Sequence, residues 1–250
     1  MVCTVKIKEH PSLNNPVLIE GLPGIGFVAN ITALHLIREL NTKLLAEIHS
    51  SFFRDFTITA ENGALRSPVN ELYYYKRKDG EPDLLILYGN TQALTMFGQY
   101  ELCGHILDIA EELGCRSIIT LGGLKREKEV ASPKLYCAAS DHETLQKAVN
   151  LGAETLRGEI FGAAGLLVGL GKLRGFKGFC LLAETSGFYP DASAAYMLSK
   201  AVCNLLNLKV DLSKLDKAAE KTHSILQSFG LTDRSIKEKR EKKSEFRWFI

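Results

Sequence analysis

The sequence predicts an α/β fold: a three-layer αβα sandwich around one mostly parallel sheet. Three observations lead there. An apolar run, Val17 to Ile19, ends in a glycine loop (Gly21, Gly24, Gly26), and an apolar helix pattern starts at once, from Phe27 to about Leu40. Such a strand–turn–helix unit is the first repeat of an α/β domain. Strand and helix patterns then alternate along most of the 250 residues. The inner strand candidates, such as Leu84–Tyr88 and Phe179–Ala183, are continuous apolar runs, as expected of strands covered on both faces.

Taken in order, Val2 to Lys8 alternates apolar and polar residues and reads as a half-buried strand. In the loop that follows, glycines allow positive φ and close packing of helix on strand. The free N–H groups of the next helix point at the loop, where an anion fits. The spacing is Gly-x-x-Gly-x-Gly, not the dinucleotide Gly-x-Gly-x-x-Gly, and no Gly-Lys-Ser or Gly-Lys-Thr follows. Around Asn41 to Ile48, where a ribose-binding acid belongs, only Glu47 occurs. A packed corner and a phosphate site both remain open, and the spacing favours the corner.

Leu44 to Ile48 and Thr57 to Thr59 are short strands. Leu72–Lys78 and Leu84–Tyr88 flank Asp79-Gly80 and read as a hairpin. Cys103, Ile106, Leu107, Ala110 and Leu113 share one helix face, with Gly114 as the C-terminal cap. Ser117–Leu121 is a strand ending at Gly122-Gly123, and Leu135–Ala139 is another. Asp141 caps a helix to about Asn150. Gly158 to Gly165 is a second glycine-rich stretch leading into a helix through about Leu173. After Phe179–Ala183, Pro190-Asp191 opens a helix with Ala194, Ala195, Leu198, Ala201, Val202 and Leu205 inside. Asp211 caps a last helix that Gly230 closes.

One folded domain therefore spans residues 1–230. Residues 231–250 are a tether: Asp233 to Glu245 is almost wholly polar and cannot fold alone, and it ends in Phe246-Arg-Trp-Phe-Ile250. Hydrophobic residues at 46% and charged residues at 24% suit a soluble globular core. A net charge of +2 gives no argument for nucleic acid or a membrane as partner. No uninterrupted apolar run reaches membrane-spanning length, and the first residues read as a strand rather than a leader. The six cysteines form no Cys-x-x-Cys pair and sit in apolar patterns, as reduced core residues of a cytoplasmic protein do.

Ligands of open α/β sheets lie beyond the carboxyl ends of the strands. Glu20, Asn90, Thr91, Gly122, Gly123 and Glu184 stand there. Glu20 and Glu184 form a catalytic pair only if the fold brings them together. Otherwise each serves the backbone of a glycine loop, which is the favoured reading. No zinc spacing occurs, Cys103 and His105 do not share a helix face, and Ser186 lies outside a nucleophile elbow. Alternation in a hairpin accounts for Tyr73-Tyr-Tyr75. No catalytic residue, metal site or cofactor is expected.

Several blocks resemble the archaeal branch of the proteasome assembly chaperone family. They are Val17-Leu-Ile-Glu-Gly-Leu-Pro-Gly-Ile-Gly-Phe-Val-Ala-Asn30, Gly122-Gly123, Gly158–Gly165, Cys180-Leu-Leu-Ala-Glu-Thr and Pro190-Asp-Ala-Ser-Ala-Ala195. The resemblance implies a phosphorylase-like αβα fold without enzyme activity or ATP use. It also implies self-association and binding to α subunits of the proteasome 20S core. Some members dock a hydrophobic–tyrosine–any-residue tail into pockets of the α ring. Here Trp248 stands at the hydrophobic position and Phe249 replaces the tyrosine, before Ile250. The resemblance thus names Trp248, Phe249 and Ile250 as the partner anchor, with the Ile250 carboxylate facing a receptor lysine. Loop residues Gly21, Gly24 and Gly26, with Glu20 and Glu184, are the ligand site of the alternative. That alternative is an enzyme or sensor binding a nucleoside, nucleotide or phosphorylated metabolite at the strand-end crevice.

Overall fold

Residues 3–59, 62–126 and 132–228 are described by a computed structural model, with the backbone alone at 222, 223 and 225–228. The chain begins with β1 (Cys3–Ile7) and β2 (Val17–Gly21). A 3-10 turn (Ile25–Phe27) leads into α1 (Val28–Glu39). Then come β3 (Lys43–Ser50), β4 (Ile58–Thr59), β5 (Leu65–Arg66), β6 (Asn70–Tyr75), β7 (Leu84–Gly89) and α2 (Met96–Glu112). The second half holds β8 (Ser117–Lys125), β9 (Leu135–Ala139), α3 (His142–Val149), β10 (Glu154–Thr155) and α4 (Ala163–Leu173). It closes with β11 (Lys177–Thr185), α5 (Ala192–Leu205) and α6 (Ser213–Ser228).

Nine strands form one sheet in the order β1-β3-β6-β7-β2-β8-β11-β9-β10, and β4 pairs with β5 separately. The central strands β7, β2, β8 and β11 are parallel. On one flank β1, β3, β6 and β7 pair antiparallel. On the other, β9 is antiparallel to β11 and parallel to β10. The sheet is parallel where helices cover both faces and mixed toward its edges, which fits the apolar runs of the central strands.

Each sheet face has its own core. Val17, Ile19, Ile86, Ile119 and Leu181 meet α1, α3 and α5 on one side. Leu18, Leu85, Leu87 and Ile118 meet α2 and α4 on the other. Alternate residues of β2 point to opposite layers, so the buried strand is apolar at every position but Glu20 and Gly21.

Helix ends follow their local chemistry. Asp141 Oδ1 accepts from Thr144 N–H (2.8 Å) at α3, and Asp191 Oδ1 from Ala194 N–H (3.0 Å) at α5. Gly114, at φ +76°, ends α2. One expectation is corrected, and the structure adds a helix start and two short strands. β8 runs through Gly122-Gly123 to Lys125, because β11 continues to pair with it as far as Thr185. α2 starts at Met96, capped by Thr95 Oγ1 accepting from Gly98 N–H (3.1 Å), two turns before the apolar stripe begins. β5 and β10 are additional two-residue strands. Gly230 and the whole tail lie outside the described residues.

Candidate functional site

The glycine loop leaves the carboxyl end of β2 and is tied to three neighbours. Asp191 N–H donates to Gly26 O (2.8 Å), and Gln92 Nε2 donates to Pro23 O (2.6 Å). Thr185 Oγ1 donates to Asp191 Oδ2 (2.7 Å), so the start of α5 and the end of β11 brace the loop together. Gly21 lies against α1: a Cβ there would stand 2.3 Å from Ala33 Cβ and 2.7 Å from Ala29 O. Gly26 has φ +63°, and its Cβ would meet Thr185 Oγ1 at 2.7 Å. Phe27 follows in the same left-handed region, at φ 51°, a strained conformation for an aromatic residue. Gly24 is different. Its backbone is extended and open space surrounds the place of a Cβ, so the expected steric need for glycine is absent there.

Glu20 and Glu184 are not brought together. Glu20 is level with Thr120 of β8, which is level with Cys180 of β11. Glu184 is four residues further along and two strands away from Glu20, a separation of roughly 16 Å by strand spacing and rise. Each serves nearby backbone instead. Glu20 Oε1 accepts from Leu22 N–H (2.9 Å). Glu184 accepts from Lys134 N–H (3.1 Å), Arg126 Nε (2.9 Å) and Tyr136 O–H (3.1 Å). Burial pushes the Glu184 carboxyl up, but these hydrogen bonds and the Arg126 charge outweigh it and hold it below the usual range.

Glu20 goes the other way. It is 1% exposed, and its Oε2 has no hydrogen-bond partner among the described residues. Burial pushes it up to about 8, against the opposing pull of backbone N–H groups. The folded chain therefore holds a proton on Glu20 that the unfolded chain releases above its usual 4.5. Stability on this account is highest below that value and falls as pH rises toward 8, then levels off. The full swing is on the order of 5 kcal/mol. Glu20→Gln mimics the protonated side chain. Its melting temperature should match the wild type near about pH 4 and exceed it near about pH 9. Parallel curves across that range would show that Glu20 does not titrate in the fold.

Gln92, in the loop after β7, escaped the sequence reading. Its Oε1 accepts from Ala163 N–H at the start of α4 (3.0 Å) and from Gln99 Nε2 of α2 (2.9 Å). With its bond to Pro23, one amide joins the glycine loop, α2 and α4. Beside it, a groove of about 590 Å³ runs between α2 and α4, past Met96, Tyr100, Phe161 and Leu173. A smaller cavity of about 180 Å³ lies at the opposite, amino end of the central strands, beside Val17, Ser117 and Lys177. Asn90 and Thr91 are also absorbed locally: Asn90 Oδ1 accepts from Val69 N–H (2.9 Å), and Thr91 Oγ1 donates to Gln92 O (3.0 Å). Among the described residues, no helix is long and apolar enough to cross a membrane.

The central parallel strands, the braced glycine loop and the two helical layers define a recognised class: the chain belongs to the PAC2 family, whose match covers residues 18–229. It is similar to Pyrococcus furiosus PbaB, an archaeal proteasome activator. Identity is 36% over 91% of this chain and 98% of that one, with a TM-score of 0.86. Pyrococcus furiosus PbaA, an archaeal homolog of proteasome-assembly chaperone, is 25% identical over 95% of this chain and 99% of that one, with a TM-score of 0.73. A Methanocaldococcus jannaschii protein without an assigned role is 34% identical, covering 88% of this chain and 84% of that protein.

Proposed function

We propose that this protein is a non-enzymatic, ATP-independent proteasome chaperone or activator. It works in the cytoplasm as a homo-oligomer and binds the α subunits of the 20S core through its C-terminal tail. The observation that carries this reading is the 36% identity to an archaeal proteasome activator over nearly the full length of both chains. The tail adds to it. Trp248, Phe249 and Ile250 are apolar residues at the end of a charged stretch, a poor arrangement in water unless a partner buries them. An oligomer that presents several tails gains avidity without any new contact.

The glycine loop serves in this reading as a packed corner that sets α1 on β2. Gly21 and Gly26 are enclosed by the protein's own atoms, and the Gly26 carbonyl already accepts a hydrogen bond from Asp191. Inorganic phosphate and nucleotides are accordingly expected to leave the melting temperature unchanged. A concentration-dependent rise would favour a ligand-binding protein instead. The direct test is capture of purified 20S α rings on immobilised full-length protein. Failure to capture them at micromolar-range concentrations would overturn the proposal.

A further inference from the structure

We infer that the groove between α2 and α4 is a self-association interface, covered by a second copy of this chain. This deepens the homo-oligomer in the function proposed above by naming the surface. The first support is apolar exposure. Met96 is 86% exposed, and Phe161 and Leu173 are each 83% exposed, with Tyr100 between them. With the adjoining Leu94 and Phe97 they expose on the order of 800 Å², about what one partner contributes to a stable interface. Among the described residues that line the groove none is charged, which suits a permanent apolar contact rather than a charged ligand.

The second support is glycine without an internal reason. Gly104 and Gly169 sit inside α2 and α4, where glycine is unfavourable, and among the described residues nothing beyond the adjoining helix backbone comes within 4 Å of a Cβ at either. Met96, Tyr100 and Gly104 share one helix face, as do Gly165, Gly169 and Leu173, by four-residue spacing. Close approach of an outside element accounts for bare backbone at Gly169, which lines the groove. Hollow and filling side chains on a single face are what a self-complementary, isologous contact requires.

Sedimentation of the full chain between about 1 and 100 µM tests this. Wild type should form a dimer or larger species. Gly169→Glu meets open space in its own chain, and Phe161→Asp changes an exposed side chain, so both should keep the wild-type far-ultraviolet spectrum. Both should weaken association at least about tenfold. A strictly monomeric wild type overturns the inference, as do two folded variants with unchanged mass. Unchanged mass with lost α-ring capture would assign the groove to the proteasome and overturn it too. An oligomeric wild type that the variants dissociate supports it, even if wild type captures no α ring. That last failure would count against the function proposed above alone.

Discussion

Deleting Trp248 to Ile250 is expected to abolish capture of the proteasome α ring and to leave the melting temperature within about 2 °C of wild type. Burying each of these side chains contributes roughly 1.5–3 kcal/mol. Part of that is lost to the entropy of association, so a single tail binds weakly and several bind well. Losing all three removes the apolar contact, and avidity multiplies the loss, so apparent affinity should fall by more than about a hundredfold. The competing arrangement has the tail folded back on its own domain. It gives the opposite pattern, a lower melting temperature with capture intact, and that outcome would remove the tail from the function.

Gly21→Val should be the most damaging single substitution in the glycine loop. The new Cβ would sit 2.3 Å from Ala33 Cβ and 2.7 Å from a carbonyl oxygen of α1, so the helix must lift off the central strand. Overpacking of this kind costs about 3 kcal/mol or more, or roughly 10 °C in a domain of this size. Gly26→Val combines positive φ with a clash against Thr185 Oγ1, which also holds Asp191, so α5 loses its brace. Gly24→Val meets neither obstacle and should melt within about 2 °C of wild type. Equal losses at all three positions would show that the loop needs glycine for a reason other than packing.

Local chemistry made much of this fold readable in advance. Asp141 and Asp191 cap helices because a short acid before an apolar helix pattern has few other uses. The run Val17 to Ile19 announced a doubly covered strand for the same kind of reason. What escaped depends on partners distant in sequence. β8 looks finished at Gly122-Gly123, and only its pairing with β11 carries it to Lys125. The two-residue strands β5 and β10 are too short to show any period. The first turns of α2 hid because Met96, Phe97 and Tyr100 face solvent and break the stripe that marks an amphipathic helix. The same anomaly marks the groove. Whether Glu20 meets Glu184 is a question of register across three strands, and Gln92 gains its role from elements that no spacing brings together. The three tail residues lie outside the described residues, so their role rests on sequence and resemblance.

The place of β2 has a consequence for synthesis. Val17 is made early, yet it pairs with Leu84 and Ser117, far downstream. At 5–20 residues per second, roughly 5–20 s of translation separate Val17 from Ser117. Through that interval the apolar strand β2 lacks β8, and for the first two-thirds of it β7 as well. The edge strands β1 and β3 cannot shelter it, because β6 and β7 stand between them and β2. Both edges of β2 are therefore covered only once β8 has emerged. A nascent chain arrested before that point would be sticky and protease-sensitive, and one released after β11 would be protected.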